Sequence, residues 1–290
     1  MAREPFNSPE KRWVRERLWL PKLRAFKAQT TSDLKYLTFA GPEGHDIELF
    51  CLRRGLIKLE KVHVWEKLER AAASLRTKYG PTLTVKVGEA FDLVRAREQR
   101  PRFPFHVINL DYTSGAFNVQ ETRWTPHKFE TLENVVAIQR ECASAFLLFL
   151  AVAAADDVDS EIGRAFVQNV AFDLATRLGR TEPLFILTRN LSRQYATVLA
   201  DVLPCTVIRI AGEKCFDASC IGKAVYRPFG SRKTTILSFV FSLEYVNPPL
   251  SQSLHQVITS MDNIIEARQR NSFSVPLVNV NEKIRHGRGR

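Results

Sequence analysis

The chain has 290 residues, of which 45% are hydrophobic and 25% charged, with a formal net charge of +11 and a pI near 9.6. This length supports one large or two modest domains with a full core, and the ordinary charged fraction excludes wholesale disorder. No apolar run reaches the roughly 18 residues of a membrane span. The basic surplus favours a polyanionic partner such as DNA or RNA, or an acidic protein surface. Five scattered cysteines, and a Met1 followed by polar and charged residues rather than an apolar segment, fit a reducing cytoplasm.

Residues 8–28 read as a basic amphipathic helix, with Trp13, Val14, Leu18, Leu20, Leu23 and Phe26 as its apolar stripe and Pro21 as a kink. The first 27 residues carry Arg3, Lys11, Arg12, Arg15, Arg17, Lys22, Arg24 and Lys27 against Glu4, Glu10 and Glu16. Residues 1–32 therefore form a basic arm that can meet phosphates or a protein partner. A second basic run, Lys283 to Arg290, closes the chain.

From residue 33 strand and helix signals alternate. Leu34 to Ala40 is a strand, Gly41 to Asp46 a turn, and Ile47 to Leu56 a helix. Lys61 to Trp65 is a strand ending at Glu66, and Leu68 to Tyr79 a helix stopped by Gly80-Pro81. Leu83 to Val87 is a third strand before Gly88-Glu89, and Phe91 to Arg97 a short helix. Phe105 to Leu110 is a fourth strand, ending at Asp111-Tyr112. A helix over Phe129 to Glu141 precedes the apolar run Ala145 to Ala153, which reads as a strand buried on both faces. Helices follow over Asp159 to Leu178 and Ser192 to Leu203. Cys205 to Ala211 reads as a strand, and Ala224 to Arg227 with Thr234 to Tyr245 as a hairpin. The pattern predicts an α/β fold: a doubly wound, mainly parallel sheet with an antiparallel terminal hairpin, spanning 33–246. Residues 247–290 are a helical or extended C-terminal segment with a basic tail.

In such a sheet, ligands sit beyond the carboxyl ends of the strands. Four loops there carry polar or small residues. Gly41 and Gly44 follow the first strand, where backbone can approach a ligand closely. Glu66 follows the second, where a carboxylate can accept both ribose hydroxyls. Glu89 and Asp92 follow the third, and Asn109, Asp111 and Tyr112 the fourth. Each has a local alternative: the glycines as a tight turn, Glu66 as a first-turn acid, Asp111 as a cap. Cys215-x4-Cys220 lacks two further zinc ligands and reads as structural thiols. Asp156, Asp157, Asp159 and Glu161 read as a helix start, with a cation site as the alternative. The Gly-x-Ser-x-Gly elbow and the Gly-x4-Gly-Lys-Ser/Thr loop are both absent.

These loop residues make the stretch resemble the cofactor half of class I S-adenosylmethionine-dependent methyltransferases. Phe39-Ala40-Gly41-Pro42-Glu43-Gly44 stands where that family has a richer glycine loop, and Asn109-Leu110-Asp111-Tyr112 lacks the prolines of its amino-methylating motif. The resemblance implies S-adenosylmethionine as cofactor, held by Gly41, Gly44, Glu66, Glu89 and Asp92. It also implies Asn109, Asp111 and Tyr112 at the methyl-transfer end, with nucleic acid as substrate. A catalytically inactive, methyltransferase-like scaffold in a nucleoprotein or defence-type complex is the alternative.

Overall fold

The computed structural model describes residues 8–88, 103–115, 127–154, 191–228, 235–247 and 253–287. The expected helices at 91–97 and 159–178, the acidic cluster at 156–161 and the tip of the hairpin at 229–234 lie outside them.

Eight strands form one sheet: β1 (Tyr36–Thr38), β2 (Val62–Glu66), β3 (Thr84–Val87), β4 (Val107–Gly115), β5 (Phe146–Ala154), β6 (Phe216–Tyr226), β7 (Thr235–Tyr245) and β8 (Leu277–Asn279). Their order is β3-β2-β1-β4-β5-β7-β6-β8. Pairing is parallel from β3 through β5, β7 runs antiparallel to both its neighbours, and β8 returns parallel to β6. The expected hairpin thus lies inside the sheet rather than at its edge, because β8, not foreseen, adds beyond it.

Helices cover both faces. On one lie α1 (Pro9–Trp13, a π-helical stretch Val14–Trp19, then Leu20–Gln29), α2 (His45–Ile47, continued by Glu48–Arg53) and α3 (Glu69–Tyr79). On the other lie α4 (His127–Glu141), α5 (Leu191–Gly212) and α6 (Leu254–Ser274); the chain continues after β8 as α7 (Val280–Gly287). Each face has its own core, because strand side chains alternate sides. Leu147, Phe149 and Ala151 of β5 join the first core, and Phe146, Leu148 and Leu150 the second. All nine residues of β5 are buried, as an apolar strand covered on both faces requires.

The N-terminal helix is built into this core. Val14, Trp19, Leu20 and Leu23 are buried on the sheet, and the Trp19 ring stacks on Phe149 at 4.9 Å with 3° between planes. The indole N–H donates to Ser238 Oγ at 3.1 Å. Pro21 does not break the helix. It stands within the first two positions after the π-helical stretch, where the wider turn accommodates its missing N–H and its ring.

The strand expected at Cys205–Ala211 is helix, the second half of α5. Pro204 sits inside the helix. The α6 side chain Gln269 reaches across, donating from Nε2 to the Cys205 carbonyl at 2.9 Å. Burial of Leu199, Leu203, Val207 and Ala211 repeats every fourth residue, so tertiary packing overrides the β-branched composition. β6 begins eight residues earlier than Ala224, because its polar residues hid an eleven-residue strand. Cys215 and Cys220 are free thiols there, and no group of three or more metal-ligating side chains occurs among the described residues. No described helix is long and apolar enough to cross a membrane.

Candidate functional site at the carboxyl edge of the sheet

Thr38 of β1 pairs with Val64 of β2 on one side and Asn109 of β4 on the other. Glu66 and Asp111 each lie two residues further along, flanking the chain where it passes Ala40 into Gly41. Two strand spacings separate them, about 10 Å. By alternation both side chains stand on the face that carries α1 and α2.

The loop after β1 turns through Gly41 (φ +64°) and Gly44 (φ +56°), a left-handed backbone that glycine adopts without strain. Gly44 has a second reason to lack a side chain: a Cβ there would lie 2.9 Å from Leu75 Cδ2 and from the Tyr79 ring. The Tyr79 hydroxyl donates to the Gly44 carbonyl at 2.9 Å, and Lys78 Nζ to the Glu43 carbonyl at 2.8 Å. The loop is therefore clamped onto α3.

Beneath the loop lies a polar network that the strand-end reasoning missed. Asp46, almost wholly buried, accepts from the hydroxyls of Tyr36 and Thr38 through Oδ2, the latter at 2.6 Å. Asn109 Nδ2 donates to the same oxygen at 3.2 Å and to Thr38 Oγ1 at 3.1 Å. Burial, and then the Asp46 charge, push the Tyr36 phenol well above its ordinary range. Among the described residues, Asp46 Oδ1, Asn109 Oδ1 and His45 Nε2 are buried without hydrogen-bond partners. Burial, with the Arg15 and Lys78 charges, holds the His45 imidazole below its usual range. The available signal was Thr38 and Asn109, polar residues at inward positions of otherwise apolar strands.

The other predicted residues are placed as follows. Glu66 ends β2 half-exposed; Oε1 accepts the Leu68 N–H at 3.1 Å, and among the described residues Oε2 has no partner. The next strand is tied in by Trp65, whose indole donates to the Gly88 carbonyl at 3.0 Å, and by Gly88 N–H, which donates to the Glu66 carbonyl. Glu89 and Asp92 lie outside the described residues. Asp111 accepts an ion-paired hydrogen bond from Lys11 Nζ of α1 at 2.8 Å, with both side chains about nine-tenths buried. Tyr112 points to the opposite face, buried edge-on against Phe39 at 5.7 Å. Burial pushes its phenol up despite a hydrogen bond with Thr131. The edge thus brings Gly41, Glu66, Asn109 and Asp111 to one rim, with Asp46, His45 and Lys11 added.

The strand order, with β7 alone reversed within it, defines a Rossmann-like α/β fold with a mainly parallel sheet. Solved structures similar to this chain include these three. Trm1 from Pyrococcus horikoshii, in complex with S-adenosyl-L-methionine, matches with 13% identity and a TM-score of 0.42, covering 94% of this chain and 77% of that one. Human methyltransferase-like protein 13, in complex with SAH, matches with 13% identity and a TM-score of 0.35, covering 91% and 93%. A Thermotoga maritima methyltransferase, described as a possible histamine N-methyltransferase, matches with 13% identity and a TM-score of 0.33, covering 81% and 94%. No family model matches the chain, and no curated protein matches it.

Proposed function

We propose that the chain binds S-adenosylmethionine at the carboxyl edge of the sheet and transfers its methyl group to a nucleic acid. The observation that carries this reading is the placement of Glu66 and Asp111 on either side of the Gly41 turn, over buried acceptors that lack partners. The residues fit the group: Glu66 keeps a carboxylate oxygen for ribose hydroxyls, and Asp46 Oδ1 and Asn109 Oδ1 are acceptors for a donor. Gly41 gives backbone access, and Glu89 and Asp92 are assigned to the adenine side. When bound, the cofactor supplies an electrophilic methyl group on sulfur.

The work of the protein is then positioning, which can supply much of the barrier reduction in a displacement of this kind. Asn109 fixes the β4 end through its network with Thr38 and Asp46. Asp111 is the carboxylate assigned to orient the nucleophile, and Lys11 holds it in place until substrate enters. Tyr112 braces the strand end from the opposite face. Its burial suits this supporting task better than stacking on a substrate base. The reading includes a cytoplasmic setting, with which the five free thiols are in keeping.

One observation favours the scaffold reading. The Lys11–Asp111 pair is closed and mostly buried, so the acid nearest the transfer end is already neutralised within the chain. Incubation with methyl-labelled S-adenosylmethionine and total RNA or denatured DNA separates the two. The enzyme reading predicts label in nucleic acid, lost at least tenfold in Asp111→Asn. No label above background with either polymer leaves the scaffold reading standing.

A further inference from the structure

The outer face of α1 carries Arg12, Arg17 and Arg24, all exposed, with the half-buried Lys22 beside them and Glu16 as its one acid, and among the described residues none of these four cations takes part in an ion pair or hydrogen bond. From Arg12 to Arg24 the helix runs about 18 Å. Its other face is spent on the core, through Val14, Trp19, Leu20 and Leu23. The cations therefore stand on a fixed rod. Lys11, one position before Arg12, touches Asp111 at the carboxyl edge, so the rod leads to the candidate cleft.

We infer that this face is the track on which the nucleic-acid strand lies: its phosphates pair with Arg12, Arg17, Lys22 and Arg24, and the track delivers a nucleotide to the rim beside Asp111. The inference rests on the proposed methyl transfer to nucleic acid and specifies how the polymer is held. Charge complementarity selects the partner. Four cations against one acid, without internal partners, match a regular polyanion, in which guanidinium groups find phosphate oxygens in fork geometry. An anionic membrane is disfavoured, because interfacial helices insert an apolar face and here that face is covered by the sheet.

The test uses the full chain and the double variant R17E/R24E, with binding to fluorescent single-stranded RNA and DNA oligonucleotides followed by anisotropy from 50 to 200 mM salt. Wild type is expected to bind one or both, with affinity falling steeply as salt rises. The variant should lose about tenfold or more at 50 mM, and its log–log salt slope should flatten by about 1.4, the loss of two single-strand phosphate contacts. Circular dichroism melting and calorimetric titration of S-adenosylmethionine should be unchanged in the variant, so a cofactor-binding failure is read separately from a track failure. Unchanged oligonucleotide affinity and slope in R17E/R24E would overturn the inference. So would absence of oligonucleotide binding by the wild type, or binding only to anionic vesicles or an acidic protein.

Discussion

Lys11 and Asp111 are 100 residues apart in sequence and meet through a single buried ion pair. A pair this enclosed gains little net stability, yet losing one partner strands the other charge. The pair joins the start of α1 to β4. A pH response is built in at His106. Its Nδ1 accepts the Lys35 N–H at 3.0 Å, which leaves the neutral ring protonated on Nε2. Burial, then the Lys35 and Lys27 charges, lower its pKa. The unfolded chain therefore binds a proton at a pH where the folded chain does not. Stability is full above the ordinary histidine value, near 6.5, and declines as pH falls from there towards the lowered folded value. His45 adds in the same direction. We predict that the melting temperature drops between pH 7 and 5, and that His106→Asn, which keeps an acceptor but does not titrate, flattens the drop. An identical pH profile in the variant would contradict this.

At the scale of elements, α5 and α6 show where local signals mislead. Cys205 to Ala211 is rich in β-branched residues and follows a proline, both of which point to a strand after a break. Packing decides otherwise: Ile265 of α6 sits against the end of α5, and a Cβ on Gly212 would come within 2.3 Å of Ile265 Cγ1. Gly212→Ala should therefore destabilise by about 1–3 kcal/mol, the usual cost of overpacking. Chemical denaturation measures it directly, and a change of no more than a few tenths would show that α6 is not held there. The N-terminal segment carries the opposite lesson. Its sequence reads as a basic amphipathic helix that covers an edge of the main domain or meets a partner, and Trp19 stacked on Phe149 packs its apolar stripe on the sheet.

For the whole molecule, β1, β2, β3 and β5 were legible as short apolar runs, and β5 is buried along its full length; β4 was found too, but it runs past the expected end at Leu110 to Gly115, with Asp111 inside it. β6 was half-missed, since Asp217, Ser219 and Lys223 interrupt its alternation; Lys223 is nonetheless buried and ion-paired with Asp201 at 2.9 Å. β8 is three residues long, too short to stand out from a polar tail. The same division holds at the site. Glu66 was readable from a strand end, and Asp111 was picked as one although it lies inside β4, beyond the residues that pair with β1. Asp46 was not readable, because it reads as an ordinary first-turn acid until Tyr36, Thr38 and Asn109 are brought round it. Lys11 was not, because nothing in a linear pattern links α1 to β4.

The central claim is that the rim bounded by Gly41, Glu66 and Asp111 is a binding site for S-adenosylmethionine. Isothermal titration of the full chain tests it most directly. Saturable binding with a dissociation constant below 1 mM, weakened about tenfold or more by Glu66→Ala through loss of the ribose-facing carboxylate, is the predicted result. No heat of binding up to millimolar cofactor, or equal affinity in Glu66→Ala, would contradict it.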